Sequence, residues 1–234
     1  MKNKILLILL LIVGMMSLTA CGNKKEKMSD ALKFKEEYES FNGEKNDYFK
    51  CRDLSINEKN PFVYTTAEDI VKRIENEETF IVYFGDPECP WCRSVIEQAI
   101  ESANENSIEK IYYVRIWNGF HNEILRDEYE LKDGNPVIKS KGTEAYYKLL
   151  EYFDKLLEDY TLTDENDNTV NVGEKRLFAP SFVSIKNGKA EELIEGISQK
   201  QENFNSELNE EVIKDEKEIF NNFYVKTSLC TDKC

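Results

Sequence analysis

Apolar and polar residues alternate along the chain in patterns that assign most of the secondary structure. Residues 79–84 (Thr-Phe-Ile-Val-Tyr-Phe) are β-branched or aromatic without a break, as a strand buried on both faces would be. Residues 110–116 and 181–185 read as further strands. Asn187-Gly188 signals a hairpin turn that returns the chain along residues 189–194. Helical spacing appears at Ile70, Val71 and Ile74, predicting a helix over 67–77 behind a Thr66 cap. It recurs at Val95, Ile96, Ala99 and Ile100, in a helix running from the Cys89 turn to about Asn104. The stripe Tyr146, Leu149, Leu150, Phe153, Leu156 and Leu157 predicts a core-packing helix over 143–159, and a last helix covers about 208–225. Residues 160–172 bracket a turn-rich stretch and read as a hairpin. Alternation over 48–56 suggests a strand carrying Cys51. Residues 31–47 are rich in Lys, Glu and Asn, and predict a partly helical, loosely attached segment. Strands and helices thus alternate before a closing hairpin and helix, which is an α/β pattern with a mixed sheet.

The first 20 residues follow a different rule. Lys2 and Lys4 precede an apolar run from Ile5 to Val13, then smaller residues, then Leu18-Thr19-Ala20-Cys21-Gly22. The run is short for a membrane span and reads as an export signal. Its end resembles a bacterial lipobox, in which Cys21 becomes the lipidated first residue; an ordinary secretory signal with an incidental cysteine is the alternative. Residues 1–20 are therefore expected as signal, 21–47 as anchored tether and extension, 48–226 as one folded domain, and 227–234 as a cysteine-containing tail.

The net charge is −14. Such acidity argues against nucleic acid or anionic lipid surfaces as partners and favours solubility. No Gly-rich phosphate loop is present, and the single histidine, His121, sits in an expected loop and reads as a surface residue. No cofactor and no metal are expected; a zinc site pooling cysteines with His121 is the weaker reading, because the central cysteine pair has another explanation.

That pair is Cys89-Pro90-Trp91-Cys92, placed where a buried strand turns into a helix. The first cysteine would lie at a helix N-terminus, where unpaired N–H groups and the helix dipole favour a thiolate. Pro90 fits the first helical position, where its missing N–H costs nothing. Export would place the thiols where disulfides persist.

Two segments together resemble the thioredoxin superfamily: residues 83–92 (Tyr-Phe-Gly-Asp-Pro-Glu-Cys-Pro-Trp-Cys), similar to its active-site segment, and residues 179–189 (Ala-Pro-Ser-Phe-Val-Ser-Ile-Lys-Asn-Gly-Lys), similar to its cis-proline strand and hairpin. Gly196 matches the family's glycine after the last strand, and Arg176 to Pro180 is most similar to the branch that includes bacteriocin-transport accessory proteins. The resemblance covers roughly residues 62–225. It implies a three-layer α/β/α sandwich, and a thiol-disulfide oxidoreductase acting on thiols or disulfides of exported proteins at the outer face of a bacterial membrane, with a membrane redox partner possible in principle. Cys89 would attack, Cys92 would resolve, and Ala179 and a cis Pro180 would lie against the pair. Trp91 would form an apolar lip, or else tuck into the core. The chain departs from the family where thioredoxins carry a buried acid: Tyr83 stands six residues before Cys89. Asp86 and Glu88 read as solvated turn residues, with water or Glu88 left for the proton step. Arg93 and Arg176 are expected either to lend charge to the thiols or to make surface salt bridges.

For Cys51, Cys230 and Cys234 three readings stay open: a structural disulfide within the tail or to Cys51, a second redox pair, or incidental free thiols. A non-catalytic factor that binds extended peptides competes with the enzyme reading.

Overall fold

The structure, a computed structural model, describes residues 28–45, 51–119 and 122–229. The expected signal segment, Cys21, His121, Cys230 and Cys234 lie outside these residues. Five strands form one sheet in the order β1 (Phe62–Tyr64), β3 (Ile111–Arg115), β2 (Phe80–Gly85), β8 (Ser181–Lys186), β9 (Lys189–Ile194). The pairs β1–β3 and β3–β2 are parallel, whereas β2–β8 and β8–β9 are antiparallel. The sheet is therefore mixed, and every residue of β2 is buried.

Helices cover both faces. On one, α1 (Asp30–Glu39), α3 (Pro90–Glu105) and α5 (Glu210–Leu229) enclose Ile81, Tyr83, Tyr113 and Phe182. On the other, α2 (Ala67–Glu75) and α4 (Glu144–Phe153) enclose Val82, Phe84, Val114 and Val183. Successive side chains of a strand point to opposite faces, so β2 feeds the two cores alternately. The connection β1–α2–β2 steps past the place of β3, and β2–α3–β3 steps back. Right-handed crossovers in opposite directions must use opposite faces, which is why α2 and α3 lie on different sides.

Local signals explain several boundaries. Thr66 caps α2, its hydroxyl accepting from the Asp69 N–H at 3.2 Å. Thr143 does the same for α4 through Tyr146 N–H. Along α5, Val212, Glu216, Phe220 and Tyr224 recur every four residues and are all buried. Gly196 needs its left-handed φ of 76°, and an added Cβ would stand 2.2 Å from the Phe220 ring, so it allows α5 to approach the sheet.

Four expectations are corrected. The segment after residue 30 is not loosely attached: α1 is docked, with Phe34 and Tyr38 fully buried and Phe34 stacked on Phe62 at 4.1 Å. Residues 51–56 form no strand but run irregularly with Cys51, Leu54 and Ile56 inward; residues 48–50 lie outside the described ones. The helix expected to 159 ends at Phe153, passes through one 3₁₀ turn (Asp154–Leu156), and gives way to β6 (Glu158–Thr163). Leu156 and Leu157 keep the helical period, but pairing of β6 with β7 (Thr169–Arg176) wins. That hairpin is thus longer than 160–172. A second hairpin, β4 (Glu128–Lys132) with β5 (Asn135–Ser140), is marked in sequence only by Asp133-Gly134 at its turn, both residues with positive φ; no residue of its strands is buried, and β5 carries a proline.

Candidate active site

The site forms at the carboxyl end of β2, where the chain turns through residues 85–88 into α3. Cys89 is the N-cap of α3: its Sγ accepts from the Cys92 N–H at 3.3 Å, and Pro90 takes the first helical position. Across the groove, the chain entering β8 brings the Ala179 carbonyl to 3.7 Å from Cys89 Sγ, which donates to it. The Ala179–Pro180 peptide is cis and Pro180 is buried. Cys89 is only 4% exposed and Cys92 fully enclosed. Trp91 is half-buried, packing against the core that contains Cys89 and Cys92 and edge-on against Phe204 at 6.0 Å between centroids. Thus Cys89, Pro90, Trp91, Cys92, Ala179 and Pro180 come together as expected. Gly196 packs instead against the Phe220 ring on α5.

The two thiols are inequivalent. Burial alone would raise the Cys89 thiol. Hydrogen bonds from the Cys92 thiol and N–H, the Arg126 charge and the Trp91 N–H outweigh it, leaving Cys89 below the ordinary cysteine value. Cys92 is pushed well up, first by burial and then by the neighbouring Cys89, with the Tyr83 hydroxyl and the Asp86 N–H acting in the opposite sense. A more acidic and a less acidic thiol are thereby distinguished by their surroundings. Cys51 is also a buried thiol, with no disulfide partner among the described residues, and burial raises it.

Tyr83 shares the buried core with Cys92. Its Oη is 2.9 Å from that of Tyr38 on α1. Asp86 and Glu88 are not solvated, contrary to expectation: Asp86 is fully enclosed and bonded to Arg115 Nε at 2.8 Å, and Glu88 is buried nearby, 3.9 Å from the same guanidinium. Burial raises the Asp86 carboxyl, with Arg115 pulling the other way. The turn encloses both side chains because Arg115, at the end of β3, reaches across to it.

The arginines are also reassigned. Arg93 makes no surface salt bridge. It is fully buried and donates to the carbonyls of Tyr38 (2.7 Å), Pro87 (3.0 Å) and Arg52 (2.9 Å) and to Asn42 Oδ1 (2.8 Å). Arg176 is buried against Asp127, to whose carbonyl it donates at 2.6 Å. The guanidinium that acts on Cys89 belongs to Arg126, which sequence reasoning passed over. It is clasped by Glu123 at 2.7 Å and donates to the Leu177 carbonyl at 3.2 Å, two residues before Ala179.

No protein-family model matches the chain, and no curated protein does. Its functional reading therefore rests on the site itself. Among the described residues no group of His, Cys, Asp or Glu side chains is arranged to hold a metal, and no helix is long and apolar enough to cross a membrane.

Proposed function

We propose that the protein is a thiol-disulfide oxidoreductase of thioredoxin-like fold, acting through Cys89 and Cys92 on exported proteins while anchored by lipid at Cys21. The observation that carries the reading is the placement of Cys89: its sulfur caps α3, accepts from Cys92 N–H at 3.3 Å, and faces the Ala179 carbonyl at 3.7 Å. A thiol held at a helix N-terminus beside a second thiol is a competent nucleophile with a built-in leaving path.

The exchange balances as two displacements. Cys89 thiolate attacks a substrate disulfide, forming a Cys89–substrate bond and expelling one substrate thiolate, which takes up a proton. Cys92 thiolate then attacks Cys89 Sγ, closing the Cys89–Cys92 disulfide and releasing the second substrate thiolate. The substrate is reduced by two electrons and the protein pair oxidised; the reverse sequence oxidises a substrate dithiol. The reduction potential sets the direction: near about −270 mV it would be a reductase, and near about −120 to −180 mV an oxidant or isomerase.

The deciding experiment is trapping. Cys92→Ser should accumulate a mixed disulfide with a disulfide-bonded model substrate, visible as a mass adduct at Cys89 that dithiothreitol removes. Cys89→Ser should form none. Absence of the adduct in Cys92→Ser would overturn the enzyme reading and leave peptide binding without turnover.

A further inference from the structure

Two hairpins stand outside the main sheet, and their roots meet just ahead of the Ala179–Pro180 peptide. Asp127 immediately precedes β4, and Arg176 is the last residue of β7. Between these roots two arginines reach in opposite directions. Arg126 Nη1 donates to the Leu177 carbonyl at 3.2 Å, and Arg176 Nη1 donates to the Asp127 carbonyl at 2.6 Å. Each guanidinium thus holds the backbone of the residue that follows the other arginine. Neither segment can move without lengthening a bond to its neighbour.

Both arginines are buried, and a guanidinium leaves water only at a large cost unless its charge and donors are answered. Glu123 answers Arg126. Its side chain is 3% exposed, and its Oε2 accepts from Arg126 Nε at 2.9 Å and Nη2 at 2.7 Å. The Leu125 and Arg126 N–H groups donate to Oε1, and Trp117 Nε1 donates to Oε2 at 3.2 Å, so the carboxylate is itself fixed. With those nitrogens engaged, Nη1 of Arg126 is directed to Leu177. Arg176 is answered by the Asp127 carboxylate at 3.5 Å and by the Tyr160 ring, 4.1 Å below its guanidinium carbon. Tyr160 also meets Phe178 edge-on at 6.4 Å, and Ser181 Oγ donates to the Phe178 carbonyl at 2.8 Å. One residue further on is the Ala179 carbonyl that Cys89 Sγ meets at 3.7 Å.

We infer that Arg126 and Arg176 form a reciprocal clasp that positions Ala179 and Pro180 against Cys89, and that Glu123 aims Arg126 for that purpose. All three are positioning residues, acting on the site through the backbone of residues 177–180. The inference rests on the oxidoreductase reading and deepens it. A substrate disulfide must meet the Cys89 sulfur in line with its own S–S bond, and a groove wall free to shift loses that alignment.

Arg176→Lys carries the test, because Arg126 also bears on Cys89 through its charge. Lysine keeps a cation but offers one nitrogen, which cannot serve the Asp127 carbonyl, the carboxylates and the Tyr160 face together. Two rates are compared on the folded full-length chain: alkylation of Cys89 by iodoacetamide, which needs no groove wall, and mixed-disulfide formation with a peptide carrying one disulfide, in a Cys92→Ser background. Arg176→Lys should slow mixed-disulfide formation about tenfold and leave alkylation within about twofold. Hydrogen exchange read by mass should rise over residues 176–182 and stay unchanged over α2. Arg126→Lys should repeat the pattern, and takes over the test if Arg176→Lys does not fold. Unchanged exchange over 176–182 in a folded variant overturns the inference, and so does slowing of both rates equally or of neither. If exchange rises there while the protein with Arg126 and Arg176 intact forms no mixed disulfide, the clasp stands and the oxidoreductase reading falls.

Discussion

At the level of single residues, the site is a contest between burial and local donors. Burial disfavours thiolate at both cysteines, yet only Cys89 gains enough hydrogen bonds and positive charge to end below the ordinary value. Its reactivity toward iodoacetamide should therefore persist to lower pH than that of an ordinary cysteine, as a rate–pH profile would show. Arg126→Met should move the Cys89 titration upward, because a cation that favours thiolate is removed; a rate–pH profile of Cys89 alkylation checks it. Gly85→Ala should destabilise the fold, read by urea unfolding, since the new methyl would stand 2.1 Å from the Tyr83 oxygen and must displace it from Tyr38. Cys89, Pro90, Cys92 and Pro180 were legible because their signals are local: a two-residue spacing, a strand before, a helix after. Tyr38, Arg115 and Arg126 were not, because each reaches the site only through folding. Tyr38 meets Tyr83 across 45 residues and Arg115 meets Asp86 across 29, and no periodicity records such pairings. The turn at 85–88 misled for the same reason. Its acids look solvated until β3 delivers an arginine to them.

Among the elements, α1 matters most for the site. The Arg93 guanidinium ties the carbonyls of Tyr38 and Arg52 to that of Pro87, the turn residue two before Cys89. A lysine has three donors on a single point and cannot satisfy four acceptors spread over that fan. Arg93→Lys should therefore destabilise the fold by about 2–4 kcal/mol, read by urea unfolding, and loosen the turn before Cys89. Phe34→Ala, far from any thiol, should cost about 3–5 kcal/mol by the same measurement, because a fully buried ring leaves a cavity between α1 and β1. Sequence pattern gave the central strands well, since β2, β3 and β8 are buried runs of β-branched and aromatic residues. It undervalued α1, whose buried stripe is only Phe34 and Tyr38 within a charged background. It also extended α4 too far, where the pairing partner of β6 lies beyond any helical window.

For the whole molecule, acidity meets one conspicuous internal exception. Glu216, on α5, is fully enclosed, and burial pushes its carboxyl up to about 8 despite the Ser198 backbone and Arg52. The unfolded chain would release this proton near 4.5, so between about 4.5 and 8 the native state binds more protons and loses stability as pH rises. Glu216→Gln should thus raise the melting temperature at pH 8 and change it little at pH 4; a difference of up to about 4 kcal/mol between the two is expected. The docking of α1 has a further, geographical consequence. With α1 capped at Ser29 and docked on the sheet, a lipid on Cys21 would lie only eight residue steps from that cap, a reach of at most about 28 Å at roughly 3.5 Å per residue. Such an enzyme could not sweep the surrounding space. It would patrol a shell about one domain thick above the lipid, and its clients would be those that emerge there.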